Sequence, residues 1–155
     1  MHIPVLLHES ITALDLHEGE VIVDGTFGGG GHSKAILESL KNKCTLICVD
    51  LDEGAQERFE KSFRDTPAIF VHDNYRNAKQ ILEKSGVQKV NKVLLDIGTS
   101  SFQLDDDTRG FSFMSDTPLK MTLSQSGSHT GFNAFDIVNQ WGESSIADII
   151  FYYGE

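Results

Sequence analysis

Residues 21–33, VIVDGTFGGGGHS, constrain this chain more than any other stretch, together with the acidic strand end Val49-Asp50 further on. Val21, Ile22 and Val23 form an apolar run that leads into Asp24. A glycine-dense turn over 25–31 follows, and the pattern predicts a helix from Ser33 with Ile36, Leu37 and Leu40 on one face. A second strand over 45–49 ends in the acidic pair Asp50 and Asp52. Glycines let backbone come close to a ligand, and a carboxylate beyond the second strand can accept both ribose hydroxyls. The combination therefore predicts a pocket for an adenine-ribose compound, with Asp50 as the ribose acceptor. Strand and helix patterns flank the glycine run too tightly for a flexible linker.

The rest of the first half repeats the alternation. The residues Ile11, Leu14 and Leu16 suggest a short helix ahead of the first strand, and 52–64 a helix with Phe59 and Phe63 at i, i+4. Residues 68–72 read as strand three and 77–84 as a helix with Gly86 just past its end. Residues 92–96 read as strand four, running into Ile97 and Gly98. Short apolar strands separated by helices predict a parallel sheet covered on both faces, an α/β class fold whose ligands sit at the carboxyl ends of the strands. Asp24, Asp50, residues 73–75 and Asp96 all fall at such ends.

From Thr99 the pattern changes. TSSFQLDDDTRGFSFMSDTP is polar and dotted with aromatics, and reads as an ordered loop beyond the sheet rim. Residues 124–131 are low in apolar content and read as a flexible stretch. Residues 132–141 and 144–153 read as amphipathic helices, with Phe135, Val138, Ile146, Ile149 and Ile150 assigned to a core. Phe135, Trp141 and the Tyr152-Tyr153 pair read as helix packing rather than base stacking. Asp105, Asp106 and Asp107 lack the spaced ligands and bidentate Glu of a calcium loop and read as a solvated turn; no metal site is expected. A doubly wound sheet usually runs to about six or seven strands, so a chain with four reads as interrupted.

Composition narrows the class. The chain has 155 residues and no internal repeat, enough for a real core. No apolar run approaches the ~20 residues of a membrane span, and the start, MHIPVLLHES, lacks the basic region of a secretory signal. Cys44 and Cys48 lie on one predicted strand, a poor geometry for a bridge, and read as small buried hydrophobes of a reducing cytoplasm. A net charge of −10 argues that this stretch is not the main grip on a phosphate backbone.

With these residues in view, the chain resembles the bacterial small-subunit ribosomal RNA cytosine-N4 methyltransferases, the MraW/RsmH family, matching its N-terminal half. The resemblance rests on HIPVLL (2–7), VDGTFGGGGHSKAIL (23–37), Val49-Asp50, LLDIGTSSFQLDD (94–106), RGFSFM (109–114) and YGE (153–155). It implies a class I, Rossmann-like methyltransferase fold that binds S-adenosylmethionine and methylates a cytosine N4 of 16S rRNA in the small ribosomal subunit. It also implies a division into an N-terminal part of the methyltransferase domain over 1–115 and the start of an inserted helical substrate-recognition domain over 116–155. Carried over by position, Gly30, Gly31 and His32 hold the methionine part of the cofactor, Asp50 takes the ribose hydroxyls and Tyr75 lies against the adenine. Asp96 and Gln103 line the rim where the methyl meets the base, with Asp96 as the candidate catalytic residue orienting the amine. The bland alternatives are a helix cap for His32, core packing for Tyr75 and, for Asp96, a structural acid satisfied by the amides of 98–101.

The chain departs from the family pattern at Gly29, where the family usually has Arg, and mildly at Ile97, Thr99 and Phe102. At 118–124 it reads PLKMTLS where the family typically reads PLDMRMD, so that Lys120, Thr122 and Ser124 replace an acid, an Arg and an acid. Two other classes stand beside the enzyme: a cofactor-binding fragment without activity, and a nicotinamide-dependent oxidoreductase. The latter fits DGTFGGGGH poorly. An open sheet leaves apolar surface along strand four, which predicts self-association there.

Overall fold

In the computed structural model of the chain, residues 4–124 and 132–154 are described; His2, residues 125–131 of the low-apolar stretch and Glu155 lie outside them. The chain forms two compact units, residues 1–100 and 101–155.

The first unit is an α/β sandwich. Helix α1 (Leu7–Leu14) precedes β1 (Val21–Asp24), and α2 (Gly31–Ser39), β2 (Thr45–Asp50), α3 (Glu53–Ser62) and β3 (Ala68–His72) follow. A 3-10 turn at Tyr75–Asn77 leads into α4 (Ala78–Lys84), and β4 (Lys92–Leu94) closes the unit. The four strands pair in parallel in the order β3-β2-β1-β4. Strand order reverses at β1, which places the switch-point crevice at the carboxyl ends of β1 and β4.

Period-two alternation sorts the central strands onto two cores. Ile22, Leu46 and Cys48 join Phe27, Ile36, Leu37, Leu40, Ala55 and Phe63 on one face, with Ile11, Leu14 and Leu16 packed against them. The intervening Val23, Ile47 and Val49 meet Ile81 of α4 on the other. Helices therefore cover both faces, the arrangement that continuous apolar strands require. Cys44 and Cys48 are buried free thiols of the first core, as their sequence setting suggested. Burial pushes the Cys48 thiol far up, out of the range in which it could react as a thiolate.

Phe27, whose carbonyl accepts the Gly30 N–H at 2.7 Å to close the turn at 28–29, anchors the glycine loop. Its ring meets Phe59, Phe63 and Phe70 edge-on, with centroids 5.6, 5.2 and 5.6 Å away. Phe59 and Phe63 stack at 5.3 Å, as their i, i+4 spacing anticipated.

Strand four is shorter than the sequence suggested: pairing ends at Leu94, and residues 95–96 have left the ladder. The expected apolar exposure there is present, with Val93 57%, Leu95 44% and Ile97 74% exposed.

The second unit differs from its sequence reading in two respects. Residues 99–118, read as loop throughout, contain a short helix α5 (Ser101–Leu104) and a 3-10 turn (Asp107–Arg109). The turn forms because the Asp106 carboxylate caps the Thr108 N–H and pairs with Arg109 Nε at 3.0 Å. Helices α6 (Ala134–Gln140) and α7 (Glu143–Tyr153) form near the expected places, α6 with a reciprocal Asn133–Asp136 capping box. Their assigned core residues are not buried. Phe135, Val138, Ile149 and Ile150 are exposed and Ile146 is only partly covered, and Trp141, Tyr152 and Tyr153 are exposed as well. Helical period identifies an apolar face but not whether anything covers it. Among the described residues no helix is long and apolar enough to cross a membrane.

Candidate functional site

The loop after β1 touches every other strand exit. Because all four strands are parallel, their carboxyl ends share one edge of the sheet, and the central β1 sends residues 25–30 across it. The Gly25 N–H donates to the Leu94 carbonyl of β4 at 2.9 Å, and a Cβ on Gly25 would lie 3.2 Å from the Cβ of Tyr75 beyond β3. Thr26 Oγ1 accepts the Asp96 N–H at 2.7 Å, and the Gly28 N–H donates to Asp50 Oδ2 at 2.6 Å.

Glycine serves two purposes in this loop. At Gly30 (φ 77°) a Cβ would strike the Phe27 and Phe63 rings at 2.7 Å, so the backbone lies directly on the aromatic cluster. Gly31, the first residue of α2, lies under the Pro4 ring just as tightly. Gly28 (φ 54°) is different: a Cβ there would meet only the Thr26 carbonyl, at 3.9 Å. That side of the loop faces open space beside the Asp50 carboxylate.

Asp50 terminates β2 with both oxygens engaged, Oδ2 by Gly28 and Oδ1 by the Asp52 N–H at 2.9 Å. A carboxylate has roughly four acceptor sites, so capacity remains for two hydroxyls. Burial raises the Asp50 pKa above the ordinary carboxylate value, while the two amide bonds pull it back. Asp24 is fully buried and likewise raised by desolvation; Ser33 Oγ donates to it at 2.7 Å and the Thr26 N–H at 3.2 Å. Asp52 caps α3 through the Gly54 N–H and is buried against Arg58, whose Nη2 lies 2.8 Å from Oδ2. Arg58 Nε also donates to the Gly28 carbonyl at 2.9 Å. The Gly28 residue is thus held by an acceptor at its N–H and a cation at its carbonyl.

The remaining candidates are placed as follows. His32 is buried in the first turn of α2, and its Nε2 donates to the Val5 carbonyl at 3.0 Å. Tyr75 opens the 3-10 turn after β3 and is 41% exposed beside Gly25. Asp96 is exposed, with its backbone pinned by Thr26. Six of the candidates (Gly30, Gly31, His32, Asp50, Tyr75 and Asp96) therefore lie in the segments that leave the carboxyl edge of the first unit's sheet. Gln103 belongs to the second unit, where it is buried on α5 with Nε2 donating to the Leu123 carbonyl at 3.4 Å. The buried Arg109 donates to that same carbonyl through Nη1 at 2.9 Å.

Sequence reasoning missed Thr26 and Arg58, and took Asp52 only as part of an acidic strand end rather than as the cap of α3 and partner of Arg58. Thr26 gives no signal of its own beyond its position next to a strand end. Arg58 does: it follows Ala55 at i+3 on the inward face of α3, where a charge needs a buried partner.

Chemically, the edge offers an open backbone stretch, a pre-oriented carboxylate with spare lone pairs, a half-exposed aromatic ring and a second, exposed carboxylate. That donor set fits a ribose-containing ligand carrying positive charge. The chain is 42% identical over 155 residues to the ribosomal RNA small subunit methyltransferase H of Clostridium botulinum (strain Loch Maree / Type A3), covering 99% of this chain and 49% of that protein. It is 42% identical over 158 residues to the protein of the same name from Finegoldia magna, again covering 99% and 49%. For Hyphomonas neptunium the identity is 44% over 155 residues, covering 99% of this chain and 44% of the relative. The chain thus spans about half the length of the curated relatives it matches. The crystal structure of PH0851 shares the fold with a TM-score of 0.54 at 23% identity, over 71% of this chain and 23% of that one. The MraW methylase family matches residues 1–155 without a gap at either end, and the chain belongs to that family.

Proposed function

We propose that this chain is the cofactor-binding part of a cytoplasmic, S-adenosylmethionine-dependent methyltransferase acting on a cytosine N4 of 16S rRNA in the small ribosomal subunit. The observation that carries the reading is the Gly28 clamp: an open glycine backbone fixed between Asp50 and Arg58 at the end of the two central strands. The names of the relatives support the methyl transfer and the rRNA substrate.

Bound S-adenosylmethionine supplies an electrophilic methyl group on a positively charged sulfur. Asp50 would accept the ribose hydroxyls with its spare lone pairs, Tyr75 would hold the adenine, and the backbone of Gly30, Gly31 and His32 would hold the methionine part. Asp96 would border the place where the methyl meets the base, and the family resemblance gives Gln103, on the second unit, a role in the same transfer. Carboxylates favour a cation in a partly dry cleft. Asp96 accepts a hydrogen bond from the exocyclic amine and orients its lone pair, for a base held out of its stack. Residues 1–115 form the methyltransferase part in this proposal and 116–155 the start of a helical substrate-recognition domain.

Calorimetric titration with S-adenosylhomocysteine and with NAD tests the reading. Saturable binding of S-adenosylhomocysteine, tighter than NAD and weakened about tenfold or more by Asp50→Asn, a loss of 1.4 kcal/mol or more, supports it. A folded chain that prefers NAD or ignores S-adenosylhomocysteine overturns it. Binding without methyl transfer to small-subunit RNA would favour a cofactor-binding chain lacking activity.

A further inference from the structure

Two strand exits meet at one hydroxyl. The crevice between β1 and β4 is joined at its base by Gly25 N–H to the Leu94 carbonyl and, one step further out, by the Asp96 N–H to Thr26 Oγ1 at 2.7 Å. Thr26 is itself fixed from below, since its N–H donates to the buried Asp24 carboxylate, which also holds Ser33 of α2. A continuous relay Ser33–Asp24–Thr26–Asp96 therefore links the first turn of α2, through the β1 exit, to the β4 exit. β-pairing ends at Leu94, so nothing in the ladder fixes residue 96. Among the described residues the Asp96 carboxylate accepts no hydrogen bond, and its backbone N–H is what ties it down.

We propose that Thr26 is a positioning residue for Asp96: its side-chain oxygen holds the β4 exit in register with the glycine loop, so that binding on the loop and placement of the Asp96 carboxylate are coupled. The residue type suits the task. A β-branched side chain has few χ1 choices, and its hydroxyl accepts an amide without needing a counter-charge. The coupling to ligand rests on the functional reading above; the latch does not.

The test uses the full chain, labelled for amide exchange by NMR, with Thr26→Val and Thr26→Ser. Valine keeps the shape and removes the acceptor, whereas serine keeps the acceptor. A solvent-edge hydrogen bond contributes about 1 kcal/mol, so Thr26→Val is expected to accelerate exchange of the Asp96 amide roughly fivefold to tenfold. The Cys48 amide, in the central sheet, is expected to stay unchanged. Thr26→Ser restores protection, and calorimetry shows S-adenosylhomocysteine binding weakened about threefold to tenfold by Val alone. Unchanged Asp96 exchange in Thr26→Val, serine behaving like valine, or faster exchange with unchanged affinity would each overturn the proposal. If the wild-type chain does not bind S-adenosylhomocysteine, the functional reading fails, while the exchange comparison still decides the latch. Should Thr26→Val not fold, Thr26→Ala is read in the same way.

Discussion

Removing the Arg58 guanidinium should loosen both the glycine loop and the start of α3, which Asp52 caps. Arg58→Met keeps most of the apolar stem and deletes the bonds from Nε to the Gly28 carbonyl at 2.9 Å and from Nη2 to Asp52 at 2.8 Å. A hydrogen bond from a charged donor contributes about 1.5–3 kcal/mol, and leaving one partner of a fully buried ion pair uncompensated costs about 3–5 kcal/mol. The full sum does not apply here. Asp52 retains the Gly54 N–H, and the Arg58 side chain is 25% exposed, so water can reach the vacated side. The expected loss is therefore about 2–4 kcal/mol, a shift of roughly 1–2 M in a urea midpoint. Arg58→Lys keeps the charge but cannot serve Gly28 and Asp52 at once, and should fall between. The double variant Arg58→Met with Asp52→Asn removes the orphaned charge and should recover at least half of the loss. An Arg58→Met protein within about 0.5 kcal/mol of wild type, the range of an ordinary surface substitution, would refute the clamp as a stabilising device.

The two kinds of glycine should separate in one experiment. Gly30→Ala meets two rings at 2.7 Å and a left-handed φ, and should cost about 1–2 kcal/mol of strain plus about 1–3 of overpacking, whereas Gly28→Ala should cost the strain alone yet weaken S-adenosylhomocysteine binding more, read by thermal unfolding and calorimetry. Burial raises the folded-state pKa of Asp24, so the native state holds more protons than the unfolded chain between the ordinary value of 3.8 and the raised one. Stability from this group is present below that window and lost as pH rises through it. Urea midpoints should therefore show wild type gaining on Asp24→Asn as pH falls; a difference independent of pH would count against a buried, raised carboxylate. The exposed Val93, Leu95 and Ile97 predict concentration-dependent self-association that Ile97→Lys suppresses in light scattering, and a strictly monomeric wild type would sink it.

Local pattern carried the first unit and stopped short of the second. Alternation assigns Ile22, Leu46 and Cys48 to one face and Val23, Ile47 and Val49 to the other because a strand has no other way to place neighbouring side chains. Asp24 and Asp50 were legible as strand ends because the apolar runs stop there, whereas Asp96 lies two residues past Leu94, where β4 ends. The bonds that fix the candidate site join residues far apart in sequence: Arg58 with Gly28, His32 with Val5, and Asp96 with Thr26 across 70 positions. No local period encodes such meetings. In α7, Ile146, Ile149 and Ile150 recur at helical spacing, yet the last two remain exposed, since amphipathicity states what a face could bury and not what lies against it.

The glycine run shows that one motif can hold residues of two different uses. Freedom for backbone to approach a ligand is compatible with Gly28, where a Cβ would meet almost nothing. It does not explain Gly30 or Gly31, whose missing side chains are filled by Phe27, Phe63 and Pro4 of the protein itself. Gly30 lets the start of α2 lie on the aromatic cluster and Gly31 lets it lie under Pro4, and that packing, together with the pull of Asp50 and Arg58, leaves the Gly28 backbone standing open. A loop built from flexibility alone would lose the entropy of ordering on each binding event. Here the ordering is already supplied by packing on one side and charge on the other, so a ligand of the kind proposed above would meet a loop that is already fixed.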